Sequence, residues 1–406
     1  MRTKQSSIFT LIALLAILFL AALGLFISRA HAPGTGTHPT TTVAMPPATL
    51  PPVSQVPYVR GPKDILSSIY MVSASEGWAV GSSFLGPGQR DTIILHYTGG
   101  QWKQVKGVPD NAQLQASSTT LSQIAMVSPT EGWAVGNTET KTTQAPSGII
   151  LHYRGGRWTV QQMIAGGYLN SLALPSSSDG WAVGGIVPNA QSFPSQSLLL
   201  HYTGQTWTAV QAPGQELLSI TMTSHTDGWI IGSTNGQRAL GDLLLRYNGD
   251  AWSQTSLPPS LSDVSHISPL SPTDVWAVGF AGAAGGARNA QVRFSGGGQT
   301  AFVHYDGKTW TGVQTPIAGQ QASIDSLYMD AANDGWAVGY VITAPNASKM
   351  IYLHYTGGQW TEVTGAGDAQ YTLFMLSASE GWAVGDNATI LHYSNGAWTF
   401  ALSDAP

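Results

Sequence analysis

Cysteine is absent from all 406 residues. That excludes disulfide frameworks, thiolate metal sites, cysteine nucleophiles and the lipidated cysteine of a bacterial lipoprotein. Charge is scarce as well: Asp, Glu, Lys and Arg make up 10% of the chain, against roughly 25% in an ordinary soluble protein. The surface must therefore be covered largely by Ser, Thr, Gln, Asn and Gly. There is no basic excess either, since 17 Lys and Arg face 22 Asp and Glu for a net charge of -5. Without a basic field, DNA and RNA drop out as expected partners. Beyond residue 62 no stretch sustains a 3.6-residue apolar period, so helices are not expected there.

One long apolar run is present. Residues Ile8 to Ile27 carry no charge, with Arg2 and Lys4 before them and Arg29 after. As a helix, such a run is about 30 Å long and matches the hydrocarbon core of a bilayer. Its length favours a retained signal anchor, although Ala30-His31-Ala32 also fits a cleavage site. The positive flank keeps the amino terminus in the cytoplasm and sends the rest across the membrane. The expectation is a single-pass cell-membrane protein with its main domain extracytoplasmic, or a secreted one if the signal is cut. From Pro33 to Pro62 eight prolines stand among Thr, Gly and Ala. That composition favours extended polyproline segments and buries too little surface to fold. The chain thus divides into 1–30, a cytoplasmic tip and membrane anchor; 31–62, a disordered Pro/Thr-rich linker; and 63–406, the main domain.

The main domain repeats. Gly-Trp-Ala-Val-Gly or a close relative begins at Gly77, Gly132, Gly180, Gly228, Val275, Gly335 and Gly381. A second tryptophan follows each: Trp102, Trp158, Trp207, Trp252, Trp310, Trp360 and Trp398, and the two sets account for all 14 tryptophans. In the first unit the pattern predicts strands at Ile65 to Val72, Trp78 to Ser82, Thr92 to Tyr97 and Gln101 to Val105, with a polar loop between the second and third. Runs such as Ile93-Ile94-Leu95 are apolar at consecutive positions, which suits strands covered on both faces. Four short antiparallel strands recurring seven times predict an all-β fold, a seven-bladed β-propeller. No strand is expected to interlock the ring, because the first unit begins and the last ends a whole blade.

These repeats resemble the sialidase-type Asp-box (BNR-like) repeats. They are similar in particular to the seven-bladed photosystem II stability/assembly factor family and its bacterial relatives. The resemblance covers residues 65 to 402. Its strongest unit is His304-Tyr305-Asp306-Gly307-Lys308-Thr309-Trp310, which keeps the Asp, Gly and Trp of the box. Tyr97-Thr98-Gly99-Gly100-Gln101-Trp102 lacks the Asp, and Tyr247-Asn248-Gly249-Asp250-Ala251-Trp252 shifts it.

An acidic residue stands two positions before each first tryptophan: Glu76, Glu131, Asp179, Asp227, Asp274, Asp334 and Glu380. Each follows Ser, Thr or Asn in a tight turn, where a carboxylate is expected to accept backbone N–H groups. Six units place His before Tyr on the third strand, at His96, His152, His201, His304, His354 and His392, with Arg246 in the fourth unit. Ligands of one metal ion must lie within about 2 Å of it. Equivalent positions around a ring are too far apart, so polar contacts between blades are the expectation, and no cofactor or metal is assigned. The Trp and Tyr pairs are expected to pack between blades.

In a four-stranded meander the first and third turns share one end of the blade. The second connection and the link to the next blade share the other. The first set is short and uniform; the second varies, its largest member running from Phe280 to Thr300. Binding residues favour variable loops on a rigid scaffold. The candidate binding loop therefore holds Phe280, Arg288, Arg293 and Phe294. The expected function is a non-enzymatic propeller binding a protein or carbohydrate partner through this face. The alternative is a sialidase-like glycoside hydrolase, which the Asp-box resemblance brings with it. That activity needs three arginines on a substrate carboxylate, a Tyr nucleophile assisted by Glu, and an acid/base Asp. Only six Glu occur in the chain, and three stand in the repeated turns.

Overall fold

The computed structural model describes residues 54–61, 63–86, 89–106, 117–140, 146–187, 194, 196–235, 241–282, 299–344, 347–366 and 370–402. The apolar run Ile8 to Ile27 and the linker up to residue 53 lie outside these. Among the described residues no helix is long and apolar enough to cross a membrane.

Seven antiparallel sheets form, each from strands consecutive in sequence. Blade 1 consists of β1 (Gln55–Pro57), β2 (Asp64–Ser73), β3 (Glu76–Gly86), β4 (Gln89–Thr98) and β5 (Gln101–Val105). Blades 2 to 7 span 117–165, 167–210, 216–255, 263–313, 322–363 and 370–400, with four strands each. The first strand of every blade lies beside the first strand of the next, and the first strand of blade 7 (Gln370–Ser377) returns to β2. The seven-bladed ring is therefore closed, with the first strands innermost.

The apolar repeats explain this arrangement. Ala79 and Val80, adjacent on β3, are both fully buried, because one faces each neighbouring seam. There is no single core. Seven apolar clusters occur instead, one in each seam. Every first strand also carries a bulge, at Leu66/Ser68 in blade 1 and Leu169/Ser171 in blade 3, for example. The bulge presses its backbone onto the last glycine of Gly-Trp-Ala-Val-Gly: a Cβ on Gly184 would lie 1.9 Å from the Tyr168 carbonyl oxygen. The same strands are tied across seams by side chains. Ser68 Oγ accepts the N–H of Ile124 at 3.3 Å, Ser171 Oγ that of Ile220 at 3.1 Å, and Ser326 Oγ that of Leu373 at 3.3 Å.

Aromatic packing between blades recurs around the ring. Trp78 of blade 1 meets Tyr153 and Trp158 of blade 2 with ring centroids 4.6 and 5.6 Å apart. Trp382 of blade 7 meets Tyr97 and Trp102 of blade 1 at 4.9 and 5.7 Å, so the closing seam repeats the others. The seam of blades 2 and 3 differs, since Gln161 Oε1 accepts both indole N–H groups, from Trp133 at 2.8 Å and Trp207 at 3.2 Å.

Two features depart from the sequence reading. The polar residues after Ser82 do not form a loop. Ser83 pairs with Asp91 and Phe84 with Arg90, extending β3 and β4 into a projecting hairpin. Blade 6 does the same as far as Ala344 opposite Ala347. Cross-strand backbone bonds hold these tips, and polarity alone does not reveal them. Second, residues assigned to the linker are ordered. β1 adds to the outer edge of β5, with Gln55 opposite Val105 and Pro57 opposite Lys103. No strand crosses from one end of the chain into the blade of the other, because β1 joins blade 1 and blade 7 takes all four strands from the carboxyl-terminal side.

Candidate functional site

The two ends of the ring are built differently. At one end lie the first and third turns. In six first turns a hydroxyl closes the turn: Ser73 Oγ accepts the N–H of Ser75 at 3.2 Å, and Ser128, Ser176, Ser224, Ser271 and Ser377 act alike. The turn therefore does not use its carboxylate, contrary to the expectation from sequence. Each acid instead bonds a histidine, or in blade 4 an arginine, of its own blade. Glu76 meets His96 at 2.5 Å, Asp274 meets His304 at 2.8 Å, Asp227 meets Arg246 at 3.0 Å, and the other four pairs repeat this.

The histidines are thus not contacts between blades. Trp78 pairs with His96 across β3 and β4, and the imidazole stacks on the indole at 4.0 Å. In blade 4 Arg246 replaces the imidazole, 4.8 Å from the Trp229 ring. Two crossings of these side chains exist at this end: His225 of blade 4 meets Asp179 of blade 3 at 2.6 Å, and Arg246 Nη2 donates to the Pro272 carbonyl oxygen of blade 5 at 2.9 Å, as expected of that position from sequence. Among the described residues no group of three or more His, Cys, Asp or Glu is placed to hold a metal ion. In the third turns, Asp306 Oδ1 accepts the N–H groups of Lys308 and Thr309 at 2.9 and 2.8 Å. Asn248 does the same for Asp250 and Ala251, both at 3.0 Å, so the box position of blade 4 belongs to Asn248 and not Asp250. All seven repeated acids at this end are thus engaged within their own blades, which makes it a structural face.

At the other end lie the second connections. Blades 1 and 6 raise hairpins there, and blade 7 has only the single turn Asp386–Ala388. That turn forces left-handed backbone on two residues with side chains, Asn387 at φ 52° and Ala388 at φ 47°. Such conformations are costly for non-glycine residues and recur at ligand clamps. Because blade 7 stands low beside the tall hairpin of blade 1, a cleft of about 290 Å³ opens at their seam. Lys63, Asp64, Ile65, Phe84 and Arg90 line it from blade 1, Asp386 and Asn387 from blade 7. Leu85, next to Phe84 on the blade 1 hairpin, is 65% exposed.

Two titratable groups sit on the first strands that line the central channel. Burial lowers His266 to about 4. Burial, reinforced by the Asp386 carboxylate, pushes Asp325 up to about 7. Their effects on stability have opposite slopes. From about pH 4 to 6.5 the unfolded chain binds a proton at His266 that the folded chain refuses, so stability rises with pH. From about pH 4 to 7 the folded chain retains a proton at Asp325 that the unfolded chain has lost, so stability falls. Asp325→Asn will remove the second slope. The variant is expected to gain about 4 kcal/mol at pH 8 and little at pH 4, measured by urea unfolding at both pH values.

Of the candidate loop residues, Phe280 lies in the second strand of blade 5 opposite Thr300, one residue before its end, and is 6% exposed. Arg288, Arg293 and Phe294 lie outside the described residues. The seam cleft was not anticipated from sequence. Lys63, Arg90 and Asp386 are distant in the chain, and only ring closure brings them together.

No protein-family model matches the chain, and no curated protein matches it. Solved structures do. YCF48 bound to a D1 peptide is 14% identical, with a TM-score of 0.56 over 86% of this chain and 99% of that one. YCF48 from Cyanidioschyzon merolae is 14% identical, with a TM-score of 0.55 over 85% and 99%. The GH74 xyloglucanase from Xanthomonas campestris is 12% identical, with a TM-score of 0.56 over 87% of this chain and 56% of the enzyme. At these identities the likeness is one of fold, and it agrees with the propeller the repeats resemble.

Proposed function

We propose that this protein is a non-enzymatic, membrane-anchored propeller that holds a protein or glycan partner outside the cytoplasm, on the face bearing the second connections. The observation that carries the reading is the contrast between the two ends. One end engages its acids in seven repeated pairs, six with histidine and one with Arg246. The other raises hairpins of unequal length, exposes Leu85 and opens the seam cleft. Individual loops on a repeated scaffold are the usual form of a recognition surface. A YCF48 structure of the same fold carries a bound peptide, which supports a polypeptide partner. The run Ile8 to Ile27 supports the anchor, and protease accessibility on intact cells tests it.

A hydrolase of the sialidase type has one observation on its side, the proton-holding Asp325 beside Asp386. Three of its arginines are poorly placed. Arg154 and Arg157 face each other at the third turn of blade 2, and Arg246 is committed to Asp227 at the same end. Replacing residues 139–146 of blade 2 and 342–348 of blade 6 by Asn-Gly turns shortens two second connections and leaves the seam of blades 7 and 1 intact. Crosslinking on intact cells is expected to capture a partner with the parent protein and lose it with the trimmed one. Equal capture by both would remove the proposed face.

A further inference from the structure

The seam cleft presents opposite charges on its two walls. Lys63 and Arg90 stand on the blade 1 wall, and among the described residues neither is paired with a carboxylate. Arg90 donates from Nη1 to Ser82 Oγ at 3.2 Å, and its backbone N–H is held by Ser118 Oγ at 2.9 Å. The Lys63 ammonium lies 5.1 Å from the centre of the Phe84 ring. Asp91, next to Arg90 in the chain, accepts the N–H of Thr92 at 2.9 Å, and Asp64 lines the same wall as Lys63. The Asp64 carboxylate is buried and accepts the Tyr58 hydroxyl at 2.7 Å and the Gly61 N–H at 3.0 Å. Two like charges held on one wall leave room for a ligand carboxylate, which accepts hydrogen bonds from both.

The blade 7 wall carries Asp386 on the left-handed turn described above. A carboxylate has about four acceptor positions, so this one has capacity for an ammonium beyond its contacts within the protein. Between the walls, Phe84 and the stem of Ile65 give the floor an apolar part. We propose that the seam of blades 7 and 1 binds an amino-acid-type zwitterion, its carboxylate on Lys63 and Arg90, its ammonium toward Asp386 and an apolar side chain against Phe84. The cleft volume suits a ligand of that size, at the small end of ligand pockets. This site stands whether or not a macromolecule occupies the rest of the face.

Calorimetric titration of the full chain at low ionic strength tests it with four probes: L-leucine, N-acetyl-leucine, leucinamide and inorganic phosphate. L-leucine is expected to bind at least tenfold more tightly than either blocked form and than phosphate. Arg90→Ala is expected to weaken L-leucine and N-acetyl-leucine at least fivefold. Asp386→Asn is expected to bring L-leucine down to the level of N-acetyl-leucine while leaving the latter unchanged, with circular dichroism checking that both variants stay folded. Equal binding of phosphate and L-leucine would reduce the cleft to a plain anion site and overturn the proposal. Absence of saturable heat with all four probes would overturn it equally.

Discussion

Trp336→Ala will unfold a large part of the molecule's stability reserve. Trp336 is fully buried. It stacks on His354 at 4.0 Å within blade 6, and crosses the seam to Tyr393 at 4.4 Å and Trp398 at 5.6 Å. Truncating a buried tryptophan costs about 3–5 kcal/mol when its surroundings cannot collapse into the space. The neighbouring sheets are held by their own strand pairing, so collapse is limited here. Domain stabilities are about 5–15 kcal/mol, and a loss of this size lowers the urea midpoint by a substantial fraction. Trp310→Ala is the internal comparison. That side chain is only half-buried and lies 6.5 Å from Trp229 across its seam, so it should cost less than half as much. Similar midpoints for the two variants would show that the seam aromatics do not carry the load assigned to them.

The tryptophans were also the most legible part of the sequence. Their doublets mark the number of blades and the packing between them, because a large apolar ring recurring at a fixed offset is buried in the same way in every unit. The histidines were less legible. Their repetition was plain, but whether His96 faces its own blade or the next depends on strand register, and register places it opposite Trp78. The carboxylate partners follow from the same register, so both readings failed together. The tips of blades 1 and 6 were misread for another reason. Ser82, Ser83 and Arg90 are polar, yet their strand pairing is made by the backbone. Least legible was the seam cleft. Its walls come from opposite ends of the domain, and no local pattern marks Lys63 or Asp386 as neighbours.

The closing seam has one component that the other six lack, and its removal is expected to open the ring. Residues Tyr58 to Lys63 lead from the outer edge of blade 1 to the start of its innermost strand. Tyr58 enters the apolar cluster shared by blades 7 and 1, where Trp382, Ala388 and Ile390 also lie. Its N–H bonds the Trp102 carbonyl oxygen at 3.2 Å and its hydroxyl donates to Asp64 at 2.7 Å. Tyr58→Ala removes a buried ring and leaves the buried Asp64 carboxylate with one fewer donor. The two losses together are expected to cost about 3–5 kcal/mol. Tyr58→Phe keeps the ring and loses only the hydrogen bond, for about 1–3 kcal/mol. A chain starting at residue 54 keeps both contacts and should match the full domain in urea. Alkali separates the hydroxyl from the ring. Burial, with Asp64 adding to it, holds the Tyr58 phenol far above its ordinary value of 10. The unfolded chain therefore ionises first, and stability falls as pH rises past about 10 by about 1.4 kcal/mol per pH unit. Tyr58→Phe should lose stability less steeply over that range than the parent, the other buried tyrosines contributing equally to both. Parallel slopes would place the Tyr58 hydroxyl outside the closure of the ring.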